Sequence, residues 1–91
     1  MIFQKLIVKI ASEGRVIFSS HAIQRLGERG LIVNDVMNVL LSKSMRLSDG
    51  EPQVAGYTYR CATIRMAVVV GFTVRGDGVI VITVFKAERK D

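Results

Sequence analysis

The sequence predicts an α+β domain in which two to three helices come first and pack on a three- to four-stranded antiparallel sheet. Three observations carry that reading. In the first half, apolar residues recur three to four positions apart, the spacing of an amphipathic helix. From Val54 onward the pattern turns to β: Ala55 to Thr63 alternates aromatic and polar groups, and Ile64 to Val74 is nearly continuous and apolar, as in a strand buried on both faces. Between the two regions, Ser48-Asp49-Gly50-Glu51-Pro52 holds the only proline and the strongest turn signal. A chain of 91 residues with 49% hydrophobic side chains has the material for one core. Residues 1–86 are read as a single domain and 87–91 as a charged tail.

Taken in order, Ile2, Phe3, Leu6, Ile7 and Ile10 predict a helix over residues 2–12, ended by Glu13-Gly14. Arg15-Val16-Ile17-Phe18 is a short β-prone link. A second helix starts at Ser19 or Ser20, whose hydroxyl suits an N-cap, and stops at Gly30, which accepts the left-handed conformation. Ala22, Ile23 and Leu26 form its packing face. A third helix runs from about Asn34 to Lys43, capped by Asn34 or Asp35, with Val36, Met37, Leu40 and Leu41 inward. Met45 to Leu47 is a first strand. Ala55 to Thr63 and Ile64 to Val74 follow as strands, with Gly71 read as a bulge in the second. Arg75-Gly76-Asp77-Gly78 is a hairpin turn, and Val79 to Phe85 is the last strand.

Composition narrows the function classes. The net charge is +5, from 13 basic and 8 acidic residues, which favours a polyanionic partner: RNA, DNA or an acidic protein segment. Cys61 is the only cysteine and His21 the only histidine, so an intrachain disulfide and a one-chain structural zinc site are both excluded. A lone cysteine fits a reducing, cytoplasmic setting. Gln4, Lys5 and Lys9 interrupt the apolar N-terminus, which does not read as a signal peptide. No stretch approaches the roughly 20 apolar residues of a membrane span, so no membrane partner is expected.

The candidate chemistry centres on the second helix. At about 100° per residue, His21, Arg25 and Arg29 fall on one stripe. Cleavage of RNA through its own 2′-hydroxyl needs proton exchange and cations on the phosphate, with no metal or cofactor. Histidine exchanges protons near neutral pH, and arginine grips phosphate oxygens in a bidentate way. The competing reading is a solvated helix face with an incidental histidine. Tyr57 and Tyr59 share a strand face and are able to stack bases, while Arg60 points to the other face. Strand tyrosines also serve as core edges. Thr83 is a lone hydroxyl in an apolar strand, and Lys86 stands where that strand meets the tail. Each is either a site group or an ordinary strand residue. Cys61 reads as an apolar filler.

The pattern Phe18-Ser19-x-His21-Ala22-x-x-Arg25-x-x-x-Arg29-Gly30-Leu31, followed by Asp35-Val36, Tyr59-Arg60 and Val81-Ile82-Thr83-Val84, resembles the small bacterial HA-x-x-R domains of unknown function. These are allied to RelE-like toxins in the barnase–EndoU–colicin–RelE superfamily of metal-independent ribonucleases. The resemblance spans nearly the whole chain. It implies a RelE/barnase-like fold and the toxin of a bacterial type II toxin–antitoxin pair. Such a toxin would cut mRNA by 2′-hydroxyl attack, without a cofactor. Its partner would be a small DNA-binding antitoxin whose acidic segment covers the basic groove. By matching position, His21, Arg25, Arg29 and Thr83 would be catalytic and Arg60 would bind RNA; the reading of the residues themselves adds Tyr57, Tyr59 and Lys86 as RNA-binding candidates. One departure is Ile32, which stands where such domains usually have a serine or threonine helix cap. The alternative expectation is a non-catalytic basic module that binds RNA or an acidic partner protein.

Overall fold

The computed structural model describes residues 2–49 and 58–86. Its elements are α1 (Ile2–Ser12), β1 (Val16–Phe18), α2 (Ser20–Glu28), α3 (Val33–Leu40), β2 (Arg46–Asp49), β3 (Tyr59–Ala62), β4 (Met66–Phe72) and β5 (Val79–Lys86). The fold is α+β, with three helices and one five-stranded sheet in the order β1-β5-β4-β3-β2. The sheet is mixed rather than purely antiparallel. The Arg15–Phe18 link is itself a strand, paired in parallel with β5 from Val16↔Val79 to Phe18↔Val81. A three-residue run of β-branched and aromatic side chains is too short to declare a strand, and only its partner 63 residues further on makes it one.

All three helices pack on one face of the sheet. Ile7, Ile10 and Ala11 of α1, Ala22 and Leu26 of α2, and Val36, Val39 and Leu40 of α3 are buried against Cys61, Met66, Val68, Val70, Val79, Val81 and Val84. Strand alternation places Arg60, Val69, Ile80, Thr83 and Phe85 on the other face. Among the described residues no helical side chain of the core lies there. Ile17 is 56% and Phe85 36% exposed, and Val69, Ile80 and Thr83 are half-buried. The apolar strands are therefore not buried on both faces.

Several boundaries move for identifiable reasons. In α2, Ile23 is exposed, so the packing face is Ala22 and Leu26 alone. The helix closes in a Schellman arrangement in which Leu31 N–H donates to the Leu26 carbonyl and Gly30 N–H to that of Gly27. Gly30 has φ +65°, so a β-carbon there would be strained. α3 starts one residue earlier than expected and is capped by Ile32 rather than Asn34 or Asp35. Ile32 has no polar side chain to offer, and Asp35 instead accepts a hydrogen bond from the Ile32 N–H at 2.8 Å. The 64–74 run is broken at its start: Ile64 is 94% exposed in a turn where Arg65 N–H donates to Thr63 Oγ1. No glycine or proline marks this turn.

The irregularity expected at Gly71 also lies elsewhere. Gly71 pairs normally with Ile80. The register shifts between Val69↔Thr83 and Val70↔Val81, leaving Ile82 as the extra residue, so the bulge is in β5. The turn after β4 is held by Thr73, whose hydroxyl donates to Asp77 and accepts from the Gly78 N–H.

Candidate functional site

Helix α2 lies along the stretch of β5 that β1 is too short to cover. The Ser19 N–H continues the parallel ladder by donating to the Val81 carbonyl at 3.0 Å. Its hydroxyl donates to the carbonyl of Ile82, the bulged residue, at 3.1 Å and accepts from the Ala22 N–H at 3.0 Å. One serine thus caps the helix and docks it on the bulge. At the far end, Arg29 Nε donates to the Val84 carbonyl at 3.1 Å. Both ends of α2 are tied to β5 on either side of Thr83.

The site residues predicted from sequence fall into three groups. His21 and Arg25 are together on α2: Arg25 Nε donates to His21 Nε2 at 3.4 Å, a long contact that makes Nε2 the acceptor. Arg25 also pairs with Glu28 at 2.8 Å, and Gln24 donates to the same carboxylate at 3.0 Å. The hydrogen bonds from Gln24 and then Arg25 hold the Glu28 carboxyl below its ordinary value.

The second group is Arg29, Arg60 and Thr83 on the open sheet face. Arg60 and Thr83 are both registered with Val69, one on each side. The guanidinium of Arg29 lies 5.8 Å, and that of Arg60 5.5 Å, from the centroid of the Phe85 ring. Both are within cation–π reach of one aromatic ring. Among the described residues neither arginine is in an ion pair. Among the described residues Arg29 places one of its five side-chain N–H donors on a hydrogen bond, to the Val84 carbonyl. Thr83 is half-buried.

The third group lies away from both. Tyr59 is on the helix-covered face, with its ring 5.3 Å from Phe3 and 5.8 Å from Phe72. Lys86 borders a cleft lined by Asp35, Asn38, Arg65 and Met66, and Met66 is its pair in the ladder and part of the core. Tyr57 lies outside the described residues. Cys61 is fully buried, and burial pushes its thiol up to about 12, so it stays neutral. Among the described residues no group of His, Cys, Asp and Glu is placed to hold a metal ion, and no helix is long and apolar enough to cross a membrane.

Sequence reasoning missed three contributors. Phe85 is two residues beyond Thr83, so alternation alone puts both on one face. Arg46 pairs with Ala62, on the same face as Arg60, which only the register reveals. Of the two serines that suit the helix cap, Ser19 takes the role, and its second bond, to a carbonyl 63 residues away, has no local signal.

These features define an α+β domain with helices on one sheet face and arginines gathered around an aromatic ring on the other. The chain belongs to the family described as a domain of unknown function, DUF4258, which it matches over residues 18–86. The match starts at the last residue of β1 and ends with β5, so it takes in α2, the bulge and both arginines. No curated protein and no solved structure matches the chain.

Proposed function

We propose that this domain is a metal-independent endoribonuclease of the RelE-like kind, acting as the toxin of a bacterial type II toxin–antitoxin pair. The observation that carries the reading is the pair of guanidiniums, Arg29 and Arg60, over the exposed Phe85 ring. Arg29 belongs to the helix end that closes the His21-bearing helix. Arginines with no ion pair among the described residues, beside an aromatic ring, suit a ligand with both phosphates and flat bases, which is single-stranded RNA. The resemblance of the His21-to-Leu31 pattern to the HA-x-x-R domains supports the same reading.

In the reaction, the 2′-oxygen attacks the adjacent phosphorus and the bond to the 5′-oxygen breaks. The products are a 2′,3′-cyclic phosphate and a 5′-hydroxyl. One proton leaves the 2′-oxygen and one arrives on the 5′-oxygen, and His21 is assigned one of these transfers. Arg25, Arg29 and Arg60 would stabilise charge on the phosphate, and Thr83 would add a hydroxyl beside it. Tyr59 and Lys86 lie on the other side of the sheet and have no part in this version of the site. A cognate antitoxin with an acidic segment is the expected partner.

The second reading, a binding module without turnover, draws on a specific contact. His21 Nε2 already accepts from Arg25, whose charge is matched by Glu28. Incubating the purified protein with RNA in EDTA separates the two. The nuclease reading expects 2′,3′-cyclic phosphate ends that disappear in His21→Ala. Salt-sensitive binding with intact RNA would overturn it in favour of the module.

A further inference from the structure

The helix layer carries a second cationic feature, on the side of the molecule away from the open sheet face. A groove of about 610 Å³ runs between α1 and the residues following α3, lined by Lys5, Val8, Lys9, Leu41 and Lys43 with Gln4, Ser12 and Ser42. Its acidic content among the described residues is nil. Lys5 and Lys9 are exposed and one helical turn apart, and Lys43 faces them from the other bank. Among the described residues none of the three is in an ion pair. Val8 is half-buried and Leu41 43% exposed, which gives the groove an apolar floor. The polar groups around it are already engaged: Gln4 donates to the Met45 carbonyl, Ser12 to that of Lys9, and Ser42 bonds Ser44.

We infer that this groove docks an acidic amphipathic helix from a protein partner. Lysine stems line apolar surface while their ammonium groups stay wet, so an apolar ridge flanked by carboxylates matches the groove in both shape and charge. Carboxylates at i and i+4 on the partner would meet Lys5 and Lys9, and its apolar residues would cover Val8 and Leu41. The groove has neither arginine nor an aromatic ring, in contrast to the sheet face, so it lacks the groups that favour nucleic acid. The inference is independent of whether the sheet face cleaves RNA.

The test is fluorescence anisotropy with a labelled peptide that carries glutamates at i, i+4 on both sides of a leucine stripe. Saturable binding by the whole chain is expected. Lys5→Glu with Lys9→Glu should weaken it by about tenfold or more, since like charges then face each other. Arg60→Ala should leave it unchanged, and amide shifts should be confined to α1 and residues 41–43. Because Lys5 and Lys9 are exposed, the double variant keeps the fold, which its far-UV spectrum would check. Three outcomes would overturn the inference: no saturable binding, equal binding of a peptide with serines in place of the leucines, or single-stranded RNA competing the peptide off the groove.

Discussion

Beneath the helices, the sheet presents Cys61, Val68, Val70, Val79, Val81 and Val84, all fully buried. On its other side the same strands present Arg60, Val69, Ile80, Thr83 and Phe85, all exposed or half-buried. Both sets are largely β-branched or aromatic, so composition does not separate them. What separates them is the partner. Among the described residues, the inner face meets three amphipathic helices and the outer face meets the side chain of Arg29. Among the described residues neither Arg29 nor Arg60 is ion-paired beside this face, and an exposed apolar patch rimmed by polar groups is a common ligand surface.

Breaking the inner face should have the largest effect. Leu40 is fully buried in the core, and Leu40→Ala is expected to destabilise by about 2–5 kcal/mol through lost burial and a cavity. Arg60→Ala on the outer face should stay within about 0.5 kcal/mol. Urea unfolding of both variants measures the contrast, and equal losses would mean the two faces do not differ as described.

Cys61 gives the inner face a pH signature. Burial raises its thiol from 9.0 to about 12, so the neutral form is the one the fold favours. As pH rises past 9.0, the unfolded chain ionises while the folded chain does not, and stability falls. The expected slope is about 1.4 kcal/mol per pH unit, levelling off near the folded value. Cys61→Val should remove this component, which urea melts at a series of alkaline pH values would show.

A smaller change sharpens the link between the two faces. Ser19→Ala removes the cap of α2 and its bond to the β5 bulge, at an expected cost of about 1 kcal/mol. If α2 docking positions His21, RNA turnover should fall by more than this stability loss explains. Ser19→Thr keeps the hydroxyl and should restore most of it.

How far the fold was legible follows from how local each signal is. α1 was fully readable because periodicity and the Glu13-Gly14 stop are local, and the cap and glycine stop of α2 were readable for the same reason. The parallel β1–β5 pair, the bulge at Ile82 and the turn at Thr63–Arg65 were not. The first two depend on partners distant in sequence, and the third uses a threonine hydroxyl where glycine is the usual marker. The site divides likewise. Helical spacing brought His21 and Arg25 together correctly. Placing Arg29 beside Arg60 needed the sheet register, and assigning Tyr59 to one face needed to know which face the helices cover. The apolar strands suggest burial on both sides because sequence does not distinguish a face covered by helices from one that the described helices leave uncovered.

We propose that the open sheet face, with Arg29, Arg60, Thr83 and Phe85, is the working surface. Its most direct test is an NMR titration of the labelled protein with single-stranded RNA at moderate salt. Shift changes should concentrate on α2, β3 and the outward residues of β5 and be lost in Arg60→Ala. Changes confined to α1 and α3, with Phe85 and Arg60 unmoved, would contradict it.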